Sequence, residues 1–293
     1  MENEGKIKAL IHLLEDPDSR IYDSISHNLM ELGPDVIPEL EEAWEQSTDP
    51  LKQHRIENLI QEIQSLTVLK SMETWRKDSQ GLLKGAYLVA KYQYPDLNFQ
   101  DLDKKIANIS KDAWLELNKN LTALENTRVL NLILYKNLKF GGNVTNFYAP
   151  QNNFINLVLE TKKGNPISLG ILYSIIANRL GLPVYGINLP KNFLLAYIDP
   201  YASEGLAPYT EDQVLFYINP FRKGAVLNKS DIENFLRAQK TEIKESYFVP
   251  NSNQDIIKNL IKNIIGSYQK LGYEDKVKRF QVLLDVFNSN SRL

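Results

Sequence analysis

The chain has 293 residues, 43% of them hydrophobic and 24% charged, with a formal net charge of -2 at pH 7. These proportions suit a globular protein with real cores, in one large domain or two to three smaller ones, and leave no basic excess for a nucleic-acid backbone. Cysteine is absent, which excludes disulfides, thiolate metal sites and thiol nucleophiles.

The opening stretch MENEGKIKAL has no apolar run of the signal-peptide kind. No stretch approaches the roughly 18 apolar residues of a membrane span. A cytoplasmic protein with no membrane partner is therefore expected. Residues 6–64 read as paired helices. Ile7, Leu10, Ile11, Leu13 and Leu14 form one apolar stripe, stopped at Asp16–Pro17–Asp18. Ile21, Ile25, Leu29 and Leu32 form a second, stopped at Gly33–Pro34. A third runs from Val36 through Leu40 and Trp44, and Leu51 to Ile63 supply a fourth. The order LLEDPDSRIYDSISHNLMELGPDVIPEL resembles a HEAT-type repeat, over about one and a half repeats. Residues 1–65 are accordingly expected to be a HEAT-like helical segment. His12, His27 and His54 are the only histidines, and their spacing suits structural or solvated roles rather than a metal site.

Residues 66–140 read as all-helical, with helices expected from Ser79 to Tyr92, after a cap at Asn98 or Asp101, and over residues 126–138. FGGNVTNFYAPQNN is loop-like. Its Gly141–Gly142–Asn143 lacks the lysine of a phosphate loop. FINLVLETKKG reads as a short helix closed by Gly164, with Glu160, Lys162 and Lys163 at a solvated end.

Asn165 then caps a helix with Pro166 at its first position. Its apolar residues, Ile167 through Leu180, cover nearly every face, so it is expected to be buried in a core. VYGINL, NFLLAYI and QVLFYINPF follow as strands, with Asp199 starting a turn. Residues 253–287 return to helix in two parts around Gly272, the run Lys276 to Arg279 reading as a solvated face. The fold class expected is α+β and predominantly helical, with a small antiparallel sheet.

Four stretches together resemble the SirB-type family of transglutaminase-like proteins: GAYLVAKYQYPDL at 85–97, NNFINLVLETKKGNPISLGILYSIIANRLGLPVYGINLP at 152–190, NFLLAYI at 192–198 and YINPFRKGAVL at 217–227. The resemblance covers roughly residues 66–290. It implies a papain/transglutaminase-like core at 66–250 and a tetratricopeptide-like hairpin at 251–293. Such a core places a nucleophile at the start of its buried helix, a histidine base on the following strand and an orienting aspartate on the next. Carried over by motif, the helix start offers Ser168. The family's Pro-Gly-His-Phe reads Pro190–Lys191–Asn192–Phe193, and its Ile-Asp-Pro-Phe reads Ile218–Asn219–Pro220–Phe221.

Ser168, Asn192 and Asn219 thus stand where the resemblance implies a triad. A serine hydroxyl needs an adjacent base, a carboxamide cannot take up a proton near neutral pH, and no histidine follows His54. The expectation is a non-catalytic interaction or regulatory module with a protein or peptide partner, no cofactor and no metal. Ser168 is expected to bond local backbone, and Asn192 and Asn219 to bond each other and hold two strands together, or else to bind a ligand through their amides. The competing expectation is a residual hydrolase or acyltransferase using Ser168, with Lys191 as an unconventional base. Nothing in the sequence sets an oligomeric state.

Overall fold

The computed structural model describes residues 2–16, 18–78, 81–118, 120–201 and 208–288. They fall into two compact units, Met1–Thr74 and Trp75–Leu293. No helix among the described residues is long and apolar enough to cross a membrane.

The first unit is helical: α1 (Glu2–His12), α2 (Ser19–Leu32), α3 (Ile37–Gln46) and the start of α4 (Pro50–Lys77). Asp18 caps α2 by accepting the Arg20 N–H, and Gly33 ends it at φ 72°. Of the stripes read from sequence, Ile11, Leu14, Ile25, Leu29, Leu40 and Ile56 are buried together, whereas Leu13, Ile21 and Leu32 face solvent. Pro17 of the expected first turn lies outside the described residues. The largest departure is α4, which runs 28 residues and straight through the boundary placed at residue 65. The physical reason is visible in its composition: Val68, Met72 and Trp75 continue the buried stripe of Ile56, Leu59 and Ile63, and neither Gly nor Pro interrupts residues 51–80.

The second unit opens with α5 (Leu82–Gln93), α6 (Phe99–Glu116) and α7 (Ala123–Asn131), the last running into a π-helical turn, Leu132–Asn137. Ser79, the expected start of α5, lies outside the described residues. Asn98, not Asp101, caps α6, accepting the N–H groups of Gln100 and Asp101. A reciprocal Thr122–Glu125 capping box starts α7 earlier than residue 126. Two-residue strands β1 (Gly141–Gly142) and β2 (Lys163–Gly164) pair in parallel around α8 (Ile155–Thr161). Lys162, at φ 60°, ends α8 in place of the expected Gly164.

Next comes α9 (Pro166–Arg179), buried from Ile167 to Ala177 and packed against α5, α6, α8 and the sheet. The sheet is antiparallel, in the order β3 (Val184–Leu189), β4 (Asn192–Ile198), β5 (Val214–Asn219), β6 (Ala225–Leu227). Within the loop 200–212, residues 202–207 lie outside the described residues. β6 and the following α10 (Lys229–Ala238), capped by Asn228 with Asp231, had no counterpart in the sequence reading. α10 contributes Ile232 and Leu236 to a cluster with Leu194, Ala196 and Ile198 of β4. Phe193, Leu195 and Tyr197 are buried as well, so β4 is apolar on both faces and reads as a continuous hydrophobic run. α11 (Asn253–Leu271) and α12 (Glu274–Asp285) close the unit as a hairpin, with Gly272 at φ 75° in the turn. Arg279 of the supposedly solvated run donates to the Tyr92 carbonyl at 2.7 Å.

The sheet approaches α9 closely because one ring lies between two glycines. A Cβ on Gly170 of α9 would sit 2.3 Å from the Phe193 ring, and one on Gly186 of β3 would sit 2.5 Å from it. Gly170→Ala therefore sets overpacking, about 1–3 kcal/mol, against a helix-propensity gain of about 1 kcal/mol. A lower urea midpoint is the expected outcome, with the net loss near 1–2 kcal/mol. A rise would refute close packing of Phe193 on α9.

Candidate functional site

Ser168 occupies the third position of α9 and is locked there. Asn165 and Ser168 form a capping box: Asn165 Oδ1 accepts the Ser168 N–H at 2.9 Å, and Ser168 Oγ accepts the Asn165 N–H at 3.1 Å. The serine hydroxyl in turn donates to the Asn152 carbonyl at 2.6 Å. Ser168 is only 3% exposed, so its proton is committed to a backbone oxygen and its lone pair to a backbone N–H.

A chain of buried amides surrounds it. Asn165 Nδ2 donates to Asn153 Oδ1 at 2.6 Å, and Asn153 Nδ2 reaches the Pro150 carbonyl and, at 3.4 Å, Ser267 Oγ on α11. Asn152 receives Asn143 Nδ2 at 2.9 Å and donates to the carbonyls of Asn146 and Phe147. Asn152 and Asn153 are almost fully buried. In the sequence they read as the end of a loop and the start of the stretch that carries the family resemblance, with no role at the site. Their signal was the Asn density of that loop, which is what a buried turn needs when its backbone groups require partners.

Asn192 and Asn219 do not bond each other, contrary to expectation. Asn219 ends β5, and its Oδ1 accepts the N–H groups of Phe221 and Arg222, both at 3.1 Å, capping the short turn that follows. Asn192 starts β4, and its Oδ1 accepts the Phe193 N–H at 2.9 Å. In each amide the Oδ1 is taken by a backbone N–H one to three residues along the chain, the local side-chain bonding that asparagine favours at strand ends and turns. Asp199 likewise accepts the Tyr201 N–H, a turn role. The three histidines sit at the surface of the first unit with local contacts, such as His27 to Glu31 at 3.4 Å. No group of three or more metal-type side chains forms among the described residues.

A cleft of about 640 Å³ opens beside these residues. One wall is the start of α9, with Asn165 and Pro166; another is the β3–β4 turn, with Lys191 and Asn192. Phe147 and Tyr148 form a third side. The remaining wall is one face of α11, carrying Asn259, Lys262, Asn263, Gly266 and Lys270. Those positions recur every three or four residues, the spacing of one helix face. Asn192 thus reaches the cleft, while Ser168 and Asn219 do not line it. A groove of about 500 Å³ in the first unit is lined by both signs of charge, among them Lys8, Lys52, Glu39 and Asp49, with no chemically organised set.

The turn between β3 and β4 has two residues, Pro190 and Lys191, with Lys191 at φ 60°. Proline holds φ near about -65°, so the pair makes a type II turn, whose second position favours glycine. Lys191 replaces that glycine under strain and places its side chain at the cleft.

Two outcomes follow for unfolding experiments. Ser168→Ala removes a buried hydroxyl from the capping box and should cost about 1–2 kcal/mol in chemical denaturation. A stabilised variant would instead mark Ser168 as a group held against its preference, as reactive groups are. Lys191→Gly relieves the left-handed backbone and should stabilise by about 1 kcal/mol, read as a higher Tm.

Comparison with known proteins agrees with this architecture. Residues 100–262, over half of the chain, match the family model described as the transglutaminase-like superfamily. A UPF0162 protein of Xylella fastidiosa (strain 9a5c) is 25% identical over 223 residues, covering 73% of this chain and 74% of the relative. F-box only protein 21 of Mus musculus is 28% identical over 243 residues, covering 75% of this chain but 37% of the relative. The human protein of that name is 26% identical over 246 residues with the same coverage. No solved structure matches. With the match spanning α9 and the whole sheet, this chain belongs to the transglutaminase-like superfamily.

Proposed function

We propose that this chain is a non-catalytic transglutaminase-like protein of the SirB-type group, which binds a protein or peptide segment in the cleft beside α9. The observation that carries this reading is the state of Ser168. Its hydroxyl donates to a backbone carbonyl and accepts a backbone N–H, is almost fully buried, and stands outside the cleft lining. A nucleophile requires a base within hydrogen-bond reach and a path to substrate, and neither accompanies Ser168. In the competing chemistry Lys191 would be the base, which requires desolvation of the amine, whereas Lys191 is exposed.

Support for binding comes from what surrounds the cleft. Its walls are polar amides, lysines, three aromatic rings and the apolar Pro166 and Leu189, the composition of a recognition groove. α11 and α12 are read as a tetratricopeptide-like hairpin, and the helices of the first unit as a HEAT-like segment; both are architectures used for protein contact.

The test is an activity screen with acyl-transfer, amide and ester substrates, run on the wild type and on Ser168→Ala well below its Tm. No saturable turnover that Ser168→Ala abolishes is expected. Turnover lost in that variant would overturn the reading in favour of a serine hydrolase or acyltransferase.

A further inference from the structure

We infer that the cleft takes an extended acidic peptide segment, its carboxylates held by Lys191, Lys262 and Lys270 and its backbone by Asn192 and Asn263. This rests on the binding reading above and names its ligand.

Charge is the first ground. Three lysines line the cleft and no aspartate or glutamate does, although the whole chain carries a net charge of -2. None of the three makes an ion pair among the described residues, where lysine partners are found for Glu15, Glu211 and Glu242 by other side chains. Lys270 instead stands 3.1 Å from the centroid of the Tyr148 ring, which holds its ammonium at the cleft edge. Unpaired like charges gathered in a concave site concentrate a potential that attracts anions.

Length argues for a peptide over a small anion. Lys262 and Lys270 are eight residues apart on α11, which is about 12 Å along the axis. An extended chain covers that distance in about four residues, so two carboxylates on one peptide match the two lysines. A single phosphate or carboxylate spans far less.

The amides supply the backbone complement. Asn192 Oδ1 is taken by the Phe193 N–H, which orients its NH2 group away with no partner among the described residues. Asn263 is the reverse: its Nδ2 donates to Asn259, at 2.9 Å to the carbonyl and 3.2 Å to Oδ1, and its own Oδ1 remains an open acceptor among the described residues. A donor on one wall and an acceptor on the other suit the C=O and N–H groups of a peptide. Between them, a Cβ built on Gly266 meets no atom within 4 Å, so packing does not demand glycine there and the missing side chain leaves the α11 wall open. Lys191 completes the set at the price of backbone strain, φ 60° in a position that favours glycine.

The experiment uses two acetylated, amidated and labelled octapeptides, one alternating alanine with glutamate and one alternating alanine with glutamine, titrated with the full chain by fluorescence anisotropy. The acidic peptide should bind more tightly, and more weakly as salt rises past about 0.15 M, where the Debye length is about 8 Å. Each of Lys191→Gln, Lys262→Gln and Lys270→Gln should weaken it about two- to fivefold. Lys191→Gly should raise the Tm while weakening binding, a split that a purely structural lysine would not give. Gly266→Phe fills the open space and should abolish binding with the Tm retained.

Equal binding of the neutral peptide, still lost in Gly266→Phe, overturns acidic specificity and leaves the binding reading intact. Acidic-peptide binding untouched by Gly266→Phe, or binding of neither peptide, overturns the inference. Displacement by glutarate or inorganic phosphate at concentrations matching the peptide also overturns it, moving the ligand class to small anions. Ser168-dependent turnover of the glutamine peptide would sink the non-catalytic reading instead.

Discussion

A helix that is apolar on every face must be covered on every face. α9 carries Ile167, Leu169, Ile171, Leu172, Ile175 and Ile176 around its circumference, and each exposed methylene would cost about 0.8 kcal/mol. The rest of the second unit can be understood as the cover: α5, α6 and α8 on some sides, β3 and β4 on another. The sheet gets close enough only because Gly170 and Gly186 make room for Phe193. Along the helix Ser174 and Asn178 donate to the Val184 carbonyl, and at its first turn the helix N–H groups need partners. Asn165 and Ser168 meet that need, and the cleft opens beside them.

That requirement explains which parts of the molecule could be read in the sequence. A run such as PISLGILYSIIANRL has one plausible fate, and NFLLAYI, apolar from Phe193 to Ile198, has to be a strand with both faces buried. Gly272 and Asn98 ended and began helices as their chemistry dictates. The misses share a different cause. α4 overran its expected end because a stop requires a breaker, and the stripe through Val68 and Met72 meets none. Lys162 and Lys191 take positive φ, a conformation that lysine gives no sign of in a sequence. β6 is three residues long, too short to show a period, whereas α10, with Ile232, Phe235 and Leu236 on one face behind the Asn228–Asp231 capping box, carried a local signal that went unread.

At the site itself, the identities of Ser168, Asn192 and Asn219 and the backbone bonding of Ser168 were legible, and the partners of the two asparagines were not. Partner choice depends on which backbone group lies nearest, which only the folded chain decides. The buried set of Asn152, Asn153, Asn165, Ser168 and Ser267, with half-buried Asn143 at its edge, contains no group that ionises near neutral pH. Where triad chemistry requires a nucleophile, a base and an anion in contact, these residues exchange neutral hydrogen bonds. Such a network satisfies buried polar atoms without the desolvation penalty of a charge. The cationic groups lie outside it, on the solvent side of the cleft.

Phe193 also separates what residue 192 does from what holds it. The ring is gripped by glycines on two elements, and β4 is registered to β3 through Asn188 opposite Phe193 and Leu189 opposite Asn192. The direction in which residue 192 leaves the backbone is therefore set by its neighbour, whatever side chain it bears. Position 192 behaves as a socket: a lineage can exchange the side chain there with little effect on whether the protein folds. In a fold built this way the chemistry presented to the cleft and the packing beneath it can vary independently, because the contacts that fix the backbone at 192 belong to its neighbour.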